Sequence, residues 1–128
     1  MSTILIIEDE EVLRQLIMQE LISHGYDVVG AEDGQQGWNK AQEIHPDLIL
    51  LDLLMPVMTG YDVLRHLRAD EGLKNTPCIV ISNSGQIDDL NRAFDCGAND
   101  VLIKAEFNPD QLVVKVSELL SKQSSNLV

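Results

Sequence analysis

The chain has 128 residues, 45% of them hydrophobic, and its 21 acidic against 9 basic side chains give a formal charge of −12 at pH 7. A chain of this length fits one domain that buries its apolar surface without disulfides or a structural metal, and its apolar runs fall far short of the roughly 20 residues that span a bilayer. The negative charge repels nucleic-acid phosphates and anionic lipid, so neither direct nucleic-acid binding nor a membrane is expected as a partner.

The first apolar run, residues 3–8, is continuous and rich in β-branched residues and reads as a strand. No basic segment or cleavage site precedes it, so a cytoplasmic protein is expected. Residues 10–24 then carry Leu13, Leu16, Ile17 and Leu21 at helical spacing until Gly25 stops the helix. Asp27–Ala31 is a short second strand. Asp33-Gly34 opens a helix whose inward face is Trp38, Ala41 and Ile44, ending before Pro46. Residues 47–52 are the most apolar run and the expected central strand. Met55-Pro56 and Thr59-Gly60 mark the loop after it, and residues 61–69 continue as a helix with Val63, Leu64 and Leu67 inward.

Thr76-Pro77 precedes a fourth strand, Cys78–Ser82, and residues 86–96 read as a helix stopped by Gly97. Its apolar stripe of Ile87, Leu90, Ala93 and Phe94 is narrow, so this helix is expected to be weakly held. Asp100–Ile103 is the fifth strand. Asn108 caps a last helix that has Pro109 at its first position and Leu112, Val113, Val116, Leu119 and Leu120 packing. From Ser121 the chain is polar and is expected to fray, which divides it into a domain over 1–122 and a tail over 123–128. Nothing after the fifth helix is expected to fold as an effector. Cys78 in an apolar run and Cys96 near a helix end read as two reduced thiols.

Five βα units in succession imply an α/β fold of the flavodoxin-like, doubly wound (βα)5 type, with a parallel sheet of order 2-1-3-4-5 and helices on both faces. Ligands of such sheets sit beyond the carboxyl ends of the strands. There the apolar runs stop at Glu8-Asp9, Asp52, Ser82 and Lys104, which would share one rim. Oxygen ligands hold a hard divalent cation, while a hydroxyl and an ammonium contact phosphoryl oxygens. Glu10, close to a helix start, reads as a dipole partner worth only about 0.3–1 kcal/mol.

Four motifs in order, Glu8-Asp9-Glu10, Asp52-Leu53-Leu54-Met55-Pro56 followed by Gly60, Ser82, and Lys104, resemble the response-regulator receiver domain of two-component signalling. The likeness covers residues 3–122 and is to the stand-alone, chemotaxis-regulator type. It implies that Asp52 accepts a phosphoryl group from a histidine kinase or histidine phosphotransfer protein. It further implies Mg²⁺ or Mn²⁺ held by Asp9, Asp52 and the backbone carbonyl of Leu54, with Glu8 acting mainly through water. Lys104 would contact the transferred oxygens, and Ser82 would hydrogen-bond one of them afterwards. Physical chemistry agrees, because a carboxylate attacks phosphorus only when the negative charges of nucleophile and donor are offset. Such a phosphoprotein passes its state by conformational change to a downstream protein that the sequence does not name. It catalyses only its own phosphorylation and dephosphorylation, and so is not expected to be an enzyme.

The chain departs from the family pattern in places. Proline usually follows the site lysine in a cis bond, but Ala105 stands here, and a cis bond before a non-proline costs about 2.5–4 kcal/mol. A trans bond is expected, with the loop through Glu106 and Phe107 rerouted. Val101 replaces a common aromatic, so activation would be read through backbone shifts near Ser82, Asn83 and the fourth helix. Leu54 and Ser84 occupy positions that in the family influence phosphate loss. The resemblance also implies kinase docking on Glu11, Arg14, Gln15 and Met18, and an output surface containing Arg92, Asp95 and Lys115. Ala105 and Val101 motivate an alternative, a receiver-like adaptor that docks partners without a phosphoryl cycle. An aspartyl phosphohydrolase is disfavoured because Leu54 stands where its second aspartate belongs. Flavin binding is disfavoured because Glu8-Asp9-Glu10 would repel a phosphate.

Overall fold

The apolar runs become β1 (Thr3–Ile7), β2 (Asp27–Ala31), β3 (Leu48–Asp52), β4 (Cys78–Ser82) and β5 (Asp100–Ile103), in a computed structural model of the chain. It describes residues 2–83, 85–106 and 108–125, the side chains of 123–125 excepted. The strands pair in parallel in the order β2-β1-β3-β4-β5, as expected. Between them run α1 (Glu11–Ser23), α2 (Gly34–Ile44), α3 (Gly60–Ala69) and α4 (Ile87–Asp95), and after a 3-10 turn at Lys104–Glu106 comes α5 (Pro109–Ser125).

Successive side chains of a strand point to opposite faces, and both faces here are covered. Leu5, Ile7, Ile49, Leu51, Cys78 and Val80 meet Ala41 of α2, Leu64 and Leu67 of α3 and Ala93 of α4. On the other face Ile4, Ile6, Leu48, Leu50, Ile79 and Ile81 meet Ile17 and Leu21 of α1 and Leu112 and Val116 of α5. The helix signals act through side chains: Asp33 accepts from Gln36 N at 2.8 Å, and Asn108 accepts from Asp110 N at 2.9 Å. Gly25 and Gly97, at φ +92° and +110°, turn the chain after α1 and α4. Among the described residues no helix is long and apolar enough to cross a membrane.

The register sets the rim. Ile7 lies beside Leu51 and Leu51 beside Val80, so Glu8, Asp52 and Ile81 form the next row, with Ser82 and Ile103 one step beyond.

Some expectations shift. Leu16 is half exposed, because the inward line of α1 runs through Arg14, Ile17 and Leu21. The α4 stripe is as thin as expected: Ala93 alone is buried, while Ile87 is 73% and Phe94 47% exposed. Helix α5 continues through Ser125 past the expected fraying point at Ser121, since no glycine or proline interrupts residues 110–125.

Candidate functional site

Glu8 is the first residue beyond β1 and is fully buried, a rare location for a carboxylate. Its amide extends the ladder by donating to Ala31 O at 3.0 Å, and its carbonyl accepts from Arg14 Nη1 at 2.8 Å. One side-chain oxygen accepts from Glu10 N at 3.0 Å. Asp52 closes β3 and is also buried. The loop after it is drawn back on itself, with Gly60 N donating to Leu53 O at 2.8 Å. A Cβ at position 60 would collide with the Asp52 carbonyl, so only glycine lets α3 begin this close to the strand. Thr59 caps α3 by accepting from Asp62 N at 3.3 Å, which leaves Asp52 without a capping role.

Lys104, first residue after β5, points its ammonium at three carboxylates: Glu8 at 3.0 Å, Glu10 at 3.1 Å and Asp52 at 3.5 Å. Glu10 receives a well-formed hydrogen bond. Glu8 Oε1 and Asp52 Oδ2 are buried without a well-formed hydrogen bond among the described residues, and each is held by Lys104 as an ion pair. A buried oxygen without a hydrogen bond is costly.

Burial, reinforced by the charge of Glu8, pushes the Asp52 carboxyl from its ordinary 3.8 up to about 7. Burial likewise pushes Glu8 upward. For Asp9 burial acts in the same sense, but hydrogen bonds shared with Glu8 and Asp52 outweigh it and hold the carboxyl below its usual range. Burial favours a neutral Lys104, yet the surrounding carboxylates outweigh that and raise its pKa. One oxygen each from Glu8, Asp9 and Asp52 lies within 4.8 Å of the others. Together with the two orphaned oxygens, this donor set suits a hard divalent cation.

Glu8, Asp9, Asp52 and Lys104 therefore come together, and Ser82, buried at the end of β4, stands on the same rim. Leu54 is exposed beside it, as are Asn83 and Ala105. Val101 is half-buried against the core. Among the described residues no peptide bond is cis, which agrees with a trans Lys104–Ala105 bond, and Lys104–Glu106 form a 3-10 turn. Ser84 and Phe107 lie outside the described residues.

Two sequence readings need correction. Glu10 is more than a helix-dipole partner: its side chain makes no cap hydrogen bond and reaches Lys104 instead. Arg14 is not a free docking cation, because it is buried and spends its guanidinium on the Glu8 carbonyl. Lys115, placed on the expected output surface, is half-buried and pairs with Asp100 at 2.7 Å, which leaves it on that surface. The sequence did contain a cue to the first of these, a third consecutive acid at the strand end opposite a lone lysine.

Fold and rim together define a doubly wound α/β domain with an acid cluster for a divalent cation at the carboxyl edge of its sheet. The family model of the response regulator receiver domain matches residues 4–117, and the chain belongs to that family. It is 38% identical over 122 residues to the DNA-binding dual master transcriptional regulator RpaA of Synechocystis sp., covering 95% of this chain and 50% of that protein. It is 31% identical to the phosphate regulon transcriptional regulatory protein PhoB of Escherichia coli, covering 94% and 52%. The chain thus spans about half the length of the curated relatives it matches. Among solved structures, the Vibrio cholerae chemotaxis protein CheY4 superposes with a TM-score of 0.87 at 30% identity, covering 93% of this chain and 98% of that one.

Proposed function

We propose that this domain is a phosphorylation switch in which Asp52 takes a phosphoryl group from a phosphohistidine on a histidine kinase or histidine phosphotransfer protein. The observation that carries this is the buried Oδ2 of Asp52, without a well-formed hydrogen bond, 3.5 Å from the Lys104 ammonium and clustered with Glu8 and Asp9. In the transfer an Asp52 oxygen bonds to phosphorus as the phosphorus–nitrogen bond breaks, and the departing imidazole takes up a proton. Asp9, Asp52 and the Leu54 carbonyl would hold Mg²⁺ or Mn²⁺, with Glu8 behind them through water. When bound, the cation offsets the negative charges of nucleophile and donor. Lys104 holds the transferred oxygens and the Ser82 hydroxyl donates to one of them, with Asn83 next in the chain after Ser82 and Ala105 next after Lys104. The phosphorylated site carries about two negative charges in place of one, with added acceptor oxygens. The resulting change of shape passes to a downstream protein in the cytoplasm, and the only catalysis is of the domain's own phosphorylation and dephosphorylation.

Incubation with a phosphorylated donor protein and Mg²⁺ is expected to add one phosphoryl group by intact mass. Asp52→Asn and chelation of the metal should each abolish the addition. Retention of the group by the Asp52→Asn variant would overturn the reading. Val101 and Ala105 support the second reading, an adaptor without a phosphoryl cycle. It requires equal partner affinity with and without a phosphoryl analogue. Sustained turnover of a phosphomonoester would instead make the protein a phosphohydrolase.

A further inference from the structure

Beside Asp52 lies a cavity of about 160 Å³, lined by Leu53, Leu54, Tyr61, Ser82, Asp89 and Arg92. Four parts of the fold meet in it. Leu53 and Leu54 directly follow Asp52, Ser82 ends β4, and Asp89 and Arg92 belong to α4, with Tyr61 in the first turn of α3. The carbon at the centre of the Arg92 guanidinium stands 3.9 Å from the centroid of the Tyr61 ring, in a cation–π contact. Tyr61 is itself buried, so the ring is a fixed surface and Arg92 the movable partner.

Helix α4 fully buries only Ala93 of its own side chains, and the Arg92–Tyr61 contact is a second attachment, tying it to α3. Arg92 is also the only cation among the described residues that line the cavity, and Asp89 is the acid of its own helix that shares the space. A phosphoryl group on Asp52 would add negative charge and acceptor oxygens next to that cavity, whose wall includes Leu53 and Leu54 directly after Asp52 and Arg92 of α4. A guanidinium offered phosphate oxygens makes charge-assisted hydrogen bonds stronger than its hold on a ring.

Resting on the phosphoacceptor reading above, we infer that Arg92 is a positioning residue for the output. When Asp52 is phosphorylated, its guanidinium leaves the Tyr61 ring, turns into the cavity beside Ser82, and carries α4 with it. The contact is made entirely by residues near the site, and it needs no aromatic at Val101. Lys104 would then anchor the phosphoryl group on one side of the rim and Arg92 would report it on the other.

Amide and side-chain NMR during titration with Mg²⁺ and beryllofluoride, a phosphoryl analogue, tests this. In the native chain the Asp52 and Lys104 amides, the Tyr61 ring, the Arg92 Nε–H and the α4 amides should all shift. In Arg92→Ala the site amides should shift as before, and the α4 amides by less than a third of the native change. Arg92→Gln keeps the length and helix preference of the side chain without its charge, and should lose the α4 response equally. Arg92→Lys keeps the charge and should restore at least half of it. A full α4 response in Arg92→Ala or Arg92→Gln would overturn the inference, as would a native titration in which the site amides move while Tyr61 and Arg92 stay still. Stillness of the site amides themselves would instead overturn the phosphoacceptor reading and this inference with it.

Discussion

The two ends of the sheet are each organised around one long cation, and the cations are used in opposite ways. At the carboxyl end Lys104 faces Glu8, Glu10 and Asp52 and still leaves two buried oxygens without hydrogen bonds. Before the amino ends of β4 and β5, Arg68 of α3 donates to Gly97 O at 3.0 and 2.8 Å, Thr76 O at 2.8 Å, Lys74 O at 3.1 Å and Asn99 Oδ1 at 3.1 Å. Asn99 Oδ1 also accepts from Cys78 N at 2.8 Å, where β4 begins. The planar fork suits this task, because its donors diverge in fixed directions toward several carbonyls. One end is held by satisfied hydrogen bonds. The other keeps excess charge available for an incoming cation and phosphoryl group.

That contrast predicts its largest effect at Arg68. Truncation to alanine leaves several carbonyls without a donor and unties α3 from the starts of two strands, and should lower the unfolding free energy by about 3 kcal/mol. Urea denaturation measures it. Arg68→Lys retains the charge but not the fork and should recover less than half of the loss. A loss below about 1 kcal/mol for the alanine variant, within the range of an ordinary surface change, would mean that the carbonyls find water equally well.

At the other end the same kind of substitution should stabilise. The folded Asp52 carboxyl titrates at about 7 against an ordinary 3.8, so the native state holds a proton that the unfolded chain has released. Stability of the metal-free protein should therefore fall as pH rises from roughly 4 to 7, and then level off. Asp52→Asn removes the charge and keeps the shape. It should gain roughly 2 kcal/mol at pH 8 and less than half of that at pH 5, read as a rise in Tm of several degrees. Glu8, shifted the same way by burial, keeps a remnant of the pH dependence in the variant. Added Mg²⁺ should erase the difference by stabilising only the native acid cluster. Equal stability of the two proteins at pH 8 without metal would show that Lys104 already compensates Asp52.

The two ends also differ in how far the sequence revealed them. Strands such as Cys78–Ser82 are legible because a continuous apolar run bounded by Pro77 admits few other structures, and the rim is legible because each run stops at a polar residue. The register then places those residues side by side. Arg68 left no such mark, since its acceptors are mostly backbone carbonyls 6 to 29 residues away, which no pattern of side chains announces. Arg14 failed for the same reason, because its partner is the Glu8 carbonyl. The thin α4 stripe was legible as a weak hold, while which of its residues reaches the core was not, because periodicity reports only which residues share a face and α4 touches the sheet through the small Ala93 with Ile87 exposed and Phe94 half exposed.

Backbone strain sharpens the comparison at its smallest scale. Near Arg68 the chain turns at Gly97, whose φ of +110° costs glycine little. In the loop after Asp52 the positive φ of 73° falls on Val57, a β-branched residue for which that conformation is rare. Met58 N donates to Pro56 O at 2.8 Å, closing a three-residue turn around Val57 of the strained, positive-φ kind. Val57 is 81% exposed, so its side chain contributes little packing in return. Val57→Gly should relieve the strain but give the unfolded chain more freedom, and these opposing terms leave a net gain of about 1 kcal/mol in urea denaturation. A loss of stability in Val57→Gly would mean that the turn is unstrained, and would leave buried charge as the only stability cost at this end of the sheet.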